Sequence, residues 1–255
     1  MSRTPFVHVP RLPDVGELPL TDDLRHHLRR VLRLSDGARL VVSDGAGRFG
    51  AGRLVASSVV LEGPVVTEPL RAPRIVLVQA LPKGRGFDEA VRLAVEVGVD
   101  AVVPLVSERG VVRPDATGGR ALVERARAVA LAAAGQARRA HVPTIEEPAR
   151  LEDALAGLEP DDVVLVGVPG APGPREVLGE PGGAPERVLI VVGPEGGLTV
   201  DELELARGRG ARALGLGPSV LRSEHAGLAL VAVLSAWFGR MEREASGPDG
   251  ATAWR

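Results

Sequence analysis

From Arg74 onward, short apolar runs alternate with longer segments of helical periodicity, a pattern that confines this part of the chain to an α/β fold with a largely parallel sheet. The runs are Ile75 to Gln79, Ala101 to Pro104, Val163 to Val166, Val188 to Val192 and Ala213 to Leu216. Helices fit Phe87 to Val97, Gly119 to Arg138, Thr199 to Arg209 and Ser223 to Arg240. Thr199 and Glu202 have the spacing of a capping box, in which each side chain bonds the other's backbone N–H, and so fix the start of the third helix.

The first 70 residues differ. Arg39 to Val42, Phe49 to Val55 and Val59 to Val66 read as short alternating strands with a Ser43-to-Gly47 turn between the first two, which predicts a small β-barrel. One helix precedes them, Asp22 to Leu34, with Thr21 as its cap. Pro64, Pro69 and Pro73 mark a connecting loop, so the boundary falls near residue 72. The expected division is 1–72, 73–241, and a disordered polar tail over 242–255. Gly167 to Pro185 lacks periodicity and reads as a mobile surface loop.

Composition removes several chemistries. The chain has no Cys, which excludes disulfides, thiolate metal sites and a cysteine nucleophile. No two of its five His have the spacing that puts two imidazoles on one helix face, so no metal site is expected. With 2% aromatic residues and no Tyr, a base-stacking platform is poorly supplied. The start, Met1 to Pro5, leads into a Pro-interrupted stretch with no long apolar run; no membrane span and a cytoplasmic location are expected. Net charge is −2, and of 31 basic residues only Lys83 is lysine. The arginine bias fits a GC-rich genome, although arginine also suits forked phosphate contacts.

Among ligand motifs, a phosphate-binding loop is excluded because Pro82-Lys83-Gly84-Arg85-Gly86 has no Ser or Thr after its lysine. There is no Gly-x-Ser-x-Gly elbow. Gly215-Leu216-Gly217 lacks the third glycine of a dinucleotide fingerprint. What stands out is Val188 to Leu198, a buried strand ending in Gly193-Pro194-Glu195-Gly196-Gly197. A strand-to-helix connection needs one glycine; three, with a carboxylate, fit a turn that a ligand approaches closely. A second segment, Leu214 to Glu224, leaves a strand, turns at Gly217-Pro218 and carries Val220 and Leu221 into a loop. Those two residues either plug the core or grip a ligand ring.

Together these segments closely resemble the motifs of the RsmE-type 16S ribosomal RNA uridine methyltransferases of the SPOUT class. The resemblance continues through Glu96-Val97-Gly98-Val99 to Pro104, Ser107-Glu108-Arg109, the helix with Arg125, Gln136 and Arg139 before Pro143, and His26 to Arg33 followed by Gly37. It covers about residues 5 to 240. The departures are Leu93 in place of Lys, Ala126 in place of Trp, Gly135 in place of an acid and His225 in place of Thr. None lies in the glycine turn.

The resemblance implies a PUA-like N-terminal barrel that binds RNA, a SPOUT-type sheet with a C-terminal trefoil knot, a homodimer, and S-adenosylmethionine bent in the knot loops. The implied reaction is methylation of N3 of a uridine in 16S rRNA of the small ribosomal subunit. Cofactor contacts are then expected from Val166, Gly167, Gly193, Pro194, Glu195, Gly196, Gly197, Leu214, Leu216, Gly217, Pro218, Val220, Leu221 and Arg222. A Val at Gly196 is expected to block the pocket.

Uridine N3 must lose a proton before it attacks, so a base or a cation that favours the anion is required. Glu224 is the candidate base, or else a partner of its helix N-terminus, and Arg222 is the candidate cation. RNA contacts are expected from Arg25, Arg29, Arg30 and Arg33, among which spacings of four and three residues put Arg29 and Arg33, or Arg30 and Arg33, on a common face with no acid between Leu24 and Leu34, and from Arg109 and Arg139, with Arg113 and Arg138 as further candidates. Two other readings fit the residues: a SPOUT enzyme methylating a ribose hydroxyl of another RNA, and a ribosome-assembly factor that binds RNA without catalysis.

Overall fold

The apolar runs of the second half pair side by side because a strand without polar alternation must be covered on both faces. The structure, a computed structural model, describes residues 4–180 and 185–242. The tail expected to be disordered lies outside the described residues from 243 onward, as does the 181–184 part of the loop expected to be mobile. Packing divides the described chain into two units, one of residues 4–70 and 134–142, the other of residues 71–133 and 143–242.

In the first unit the order is β1 (Phe6–His8), β2 (Glu17–Pro19), α1 (Asp22–His26), β3 (Arg39–Ser43), β4 (Arg48–Val55), β5 (Ser58–Leu61) and β6 (Val66–Thr67). The strands form a six-stranded sheet in the order β1-β3-β4-β5-β2, with β6 on β4. Leu28, Leu40, Val42, Leu54 and Val59 fill its core. The run expected over Val59 to Val66 splits in two at Glu62-Gly63-Pro64, since Pro64 has no N–H to give a ladder. β1 and β2 escape pattern reading: three residues are too few to show a period, and β1 is placed by its parallel pairing with β3 and by Val7 in the core. Residues 134–142, expected in the second domain, pack here: the Ala140 carbonyl accepts from Ser43 Oγ at 3.1 Å and from Gly47 N–H at 3.0 Å.

The helix expected over Asp22 to Leu34 is shorter and changes pitch. Thr21 Oγ1 caps α1 by accepting Leu24 N–H at 3.3 Å. After His26 the chain widens into a π turn, His27–Val31, closed by Leu32 N–H on the His27 carbonyl at 2.9 Å. Arg33 then takes a left-handed φ of 55° and ends it, returning Leu34 to the core.

The second unit continues with β7 (Arg74–Ala80), α2 (Gly86–Glu96), β8 (Ala101–Leu105), α3 (Ala116–Ala137, whose last turn belongs to the first unit), β9 (Thr144–Ile145), α4 (Leu151–Ala154), β10 (Val163–Gly167), α5 (Pro174–Leu178), β11 (Arg187–Val192), α6 (Val200–Gly208), β12 (Arg212–Leu214) and α7 (Ser223–Trp237). The six strands are all parallel, in the order β12-β10-β11-β7-β8-β9. On one face Val76, Val78, Val164, Val166, Leu189 and Val191 meet Leu151, Leu155 and Ala206 of the α4 and α6 region. On the other, α7 packs over β7 and β11 and against α2.

Helix ends follow from caps. α3 starts three residues ahead of expectation because Asp115 Oδ1 accepts Gly118 N–H at 2.7 Å. α7 stops short of Arg240 because Gly239 adopts a left-handed φ of 68° while Arg240 N–H bonds the Ser235 carbonyl. The Arg240 guanidinium then grips the Asp100 carboxylate with two bonds, at 2.6 and 2.9 Å, both side chains being 7% exposed. The segment expected as a featureless loop after Gly167 contains α5, started by Pro174 at its first turn. No helix among the described residues is long and apolar enough to cross a membrane.

Candidate functional site

Parallel strands leave their C-terminal ends open on one edge, where ligands of α/β proteins bind. Here the ends of β10 and β11 and the entry to α7 enclose a cavity of about 490 Å³. Val166, Gly167, Val168 and Pro169 come from the first; Val192, Gly193, Pro194, Glu195, Gly197 and Leu198 from the second; Val220, Leu221, Arg222, Ser223 and Ala226 from the third, with Leu203 of α6 beneath. The wall is aliphatic apart from Glu195, Arg222 and Ser223. Val220 is 78% exposed and Leu221 40%, so these loop residues line the cavity and do not plug the core.

The backbone of the glycine turn is held at Gly193, Pro194, Gly196 and Gly197. Gly197, with φ of 70°, donates its N–H to the Pro194 carbonyl at 2.8 Å and closes the turn. A Cβ on Gly193 would lie 3.0 Å from Leu198 N, so a side chain there would force the turn open. The Gly193 carbonyl accepts from Ser223 Oγ at 2.8 Å, and Ser223 Oγ accepts from Gln79 Nε2 at 2.8 Å. This chain of bonds, buried at Gln79 and Ser223, joins the end of β7, the turn after β11 and the start of α7. Past the turn, the expected capping box is present: Thr199 Oγ1 accepts Glu202 N–H and Glu202 Oε2 accepts Thr199 N–H at 2.8 Å. Glu202 Oε1 also accepts Glu108 N–H at 2.9 Å, tying the loop after β8 to the same place.

Five of the expected cofactor residues lie off the cavity wall: Gly196, Leu214, Leu216, Gly217 and Pro218. Leu214 and Gly215 instead clamp the loop after β10. A Cβ on Gly215 would fall 2.1 Å from the Ala171 carbonyl oxygen, and Gly215 N–H bonds the Pro172 carbonyl at 2.8 Å. A Cβ on Gly196 would meet only Arg109 at an ordinary 3.8 Å. Val168, Pro169, Val192, Leu198, Leu203, Ser223 and Ala226 were not anticipated. Leu203 and Ala226 lie four and three residues beyond Thr199 and Ser223, so helical spacing from the two helix starts carried a signal for them.

Arg222 is exposed at the cap position of α7 and reaches no other described residue through its guanidinium. Glu224 is half-buried in the first turn of α7, off the cavity wall, a place that suits a carboxylate beside a helix N-terminus. Of the expected RNA contacts, Arg25 pairs with Asp22, and Arg29 bonds Asp36 and the Leu34 and Ala56 carbonyls. Arg30 and Arg33 are exposed. The acids that occupy Arg25 and Arg29 flank the basic stretch and were invisible within it. Arg109 donates Nη1 to the Gly196 carbonyl at 2.9 Å and the Leu198 carbonyl at 3.3 Å, so it braces the glycine turn. Arg113 donates to the Glu108 carbonyl at 2.8 Å. Arg138 and Arg139 belong to the first unit, where Arg138 Nη1 reaches the Thr4 carbonyl. Among the described residues no three His, Asp or Glu come together as a metal site.

Known proteins share this architecture. The family model described as RNA methyltransferase domain matches residues 69–235, and that of the RNA methyltransferase PUA domain matches residues 20–60. Ribosomal RNA small subunit methyltransferase E of Mycobacterium bovis is 32% identical over 250 residues, 94% of each chain. A crystal structure of ribosomal RNA small subunit methyltransferase E from Neisseria gonorrhoeae bound to S-adenosylmethionine superimposes with a TM-score of 0.81 at 27% identity, covering 92% of this chain and 98% of that one. A putative methyltransferase from Legionella pneumophila, also with S-adenosylmethionine bound, gives a TM-score of 0.80 at 26% identity over 92% and 98%.

Proposed function

The chain belongs to the ribosomal RNA small subunit methyltransferase E family, and from that premise we propose that it methylates N3 of one uridine in 16S rRNA. It is an S-adenosylmethionine-dependent methyltransferase of small-subunit rRNA. The observation that carries the cofactor assignment is the cavity at the strand ends, whose glycine-backed wall at Gly193 would not hold a Cβ without moving Leu198. Val166, Val220 and Leu221 offer aliphatic faces for an adenine ring, and Glu195 a carboxylate for ribose hydroxyls. S-adenosylmethionine supplies a methyl group made electrophilic by its sulfonium.

The chain supplies the rest. Because the sulfonium needs no covalent help, catalysis rests on positioning and on the protonation state of uridine. The Arg222 guanidinium, exposed at the cavity mouth, stabilises the N3 anion; Glu224 takes the proton or supports the helix start. Ser223 Oγ is engaged as both donor and acceptor, which fits it to hold the turn. The first unit, with Arg30 and Arg33 exposed, binds RNA as a PUA-like domain. A C-terminal trefoil knot, a homodimer and a cytoplasmic location complete the proposal.

Nucleoside mass spectrometry of 16S rRNA from a deletion strain, before and after incubation with the protein and S-adenosylmethionine, tests it. Gain of N3-methyluridine is expected; a ribose methyl gained in its place refutes the assignment. Glu224→Gln in single-turnover assays across pH separates base from helix support: the pH-dependent rise in rate is lost only if Glu224 takes the proton.

A further inference from the structure

The turn Pro82-Lys83-Gly84-Arg85-Gly86 lacks the Ser or Thr of a nucleotide-phosphate loop, yet it presents two cations on a backbone anchored at both ends. Its flanks are anchored: Leu81 is 3% exposed and Phe87 2%, Pro82 is buried, and Leu81 N–H bonds the Leu105 carbonyl at 3.2 Å. Gly84 turns the chain with a φ of 68°, and a Cβ on Gly86 would lie 2.7 Å from Pro82 Cγ. Lys83 and Arg85 at the tip are exposed.

The nearby carboxylates of α2 do not neutralise them. Asp88 is taken by Arg125 at 2.9 Å, and Glu89 and Glu96 by Arg92 at 2.6 and 2.7 Å. Neither Lys83 nor Arg85 forms an ion pair with a described residue. Lys83 is also the single lysine among 31 basic residues. A compact ammonium on a flexible stem contacts a phosphate as a point charge and tolerates its orientation.

The register places the turn beside the cavity. Gln79 is opposite Val192 and Ala80 opposite Leu105, so the chain leaves β7 between the glycine turn after β11 and the loop bearing Arg109 and Arg113 after β8. The Gln79–Ser223 bond sets the start of α7, with Arg222, on the same edge. The turn is not part of the cavity wall, so its cations serve a ligand that extends beyond the cavity.

We propose that Lys83 and Arg85 bind phosphates of the substrate RNA next to the target nucleotide; this rests on the rRNA methyltransferase reading above. The test compares the full-length protein with Lys83→Ala/Arg85→Ala and with Lys83→Arg. RNA affinity is measured from about 50 to 200 mM salt, the range in which phosphate contacts dominate, together with the KM for 16S rRNA and calorimetric S-adenosylmethionine affinity.

The double variant is expected to lose about 1 to 2 from the log–log salt slope and to raise the RNA KM about 10-fold or more, as two lost phosphate contacts require. Cofactor affinity and thermal midpoint stay unchanged, and Lys83→Arg keeps wild-type behaviour. An unchanged salt slope and RNA KM overturns the proposal, as does a loss of cofactor affinity, which assigns the turn to the cofactor. A reduced slope with a wild-type protein that transfers no methyl upholds the phosphate site and refutes the enzymatic reading instead.

Discussion

Ser223→Ala tests whether the glycine turn after β11 and the start of α7 are held to the end of β7 by one polar chain. Ser223 is 5% exposed and Gln79 is fully buried. Losing the hydroxyl leaves Gln79 Nε2 with only the Ala80 carbonyl at 3.2 Å, while Gln79 Oε1 already has no partner, and strips the Gly193 carbonyl of its Ser223 bond. The buried Gln79 amide, left with its longer bond, and the half-buried Gly193 carbonyl, left without its Ser223 bond, together cost about 2 to 3 kcal/mol. For a chain of this size that lowers the thermal midpoint by about 5–10 °C.

Gln79→Leu removes the other partner, and replacing both by apolar groups is nearly neutral, so the double variant Gln79→Leu/Ser223→Ala recovers about 1 to 2 kcal/mol relative to the sum of the singles. Urea unfolding followed by circular dichroism measures the cycle. Calorimetry with S-adenosylmethionine measures the consequence, a weaker complex for Ser223→Ala because the Gly193 carbonyl is no longer fixed. A Ser223→Ala variant within about 0.5 kcal/mol of wild type, the ordinary range of a surface change, or strictly additive singles, refutes the reasoning.

Gly193→Ala drives a Cβ to within 3.0 Å of Leu198 N, whereas Gly196→Ala meets nothing closer than 3.8 Å. Overpacking of about 1 to 3 kcal/mol at the wall lowers cofactor affinity about 10-fold or more for the first variant, and calorimetry should find the second close to wild type. Asp100→Asn leaves the Arg240 guanidinium buried without its carboxylate, which destabilises the second unit by about 3–5 kcal/mol in denaturant titration. Burial of both ring nitrogens of His8, partly offset by Asp44, lowers its pKa from 6.5 to about 4. The unfolded chain therefore binds the extra proton first: stability from neutral His8 is complete above pH 6.5 and is lost as pH falls towards 4. The loss grows to about 3 kcal/mol below pH 4 and reaches about 2 kcal/mol at pH 5, and the difference in unfolding free energy between wild type and His8→Phe at pH 7 and pH 5 measures the latter.

Local signals were legible where local physics decides. The apolar runs from Ile75 to Val192 had to become buried parallel strands, and the Thr199 capping box is complete within four residues. Asp115 as a cap is a local signal in the sequence too, and Pro64, a marker of the connecting loop, also breaks the ladder of the strand expected over Val59 to Val66. The basic stretch around Arg29 misled because its counter-charges, Asp22 and Asp36, stand outside it and meet the arginines only after folding.

The sequence by itself therefore determined the α/β class, a glycine-rich turn after β11 and an apolar loop before α7. Only the tertiary structure decided which of these residues face the cavity. Gly193, Gly197, Val220 and Leu221 do, while Leu214 and Gly215 clamp a neighbouring loop and Arg109 braces the turn. The reason is physical: a glycine that admits a ligand and one that admits the chain's own backbone are the same residue in sequence. What distinguishes them is what approaches: the Ala171 backbone at Gly215, brought there by a loop far away along the chain, and open space at Gly197.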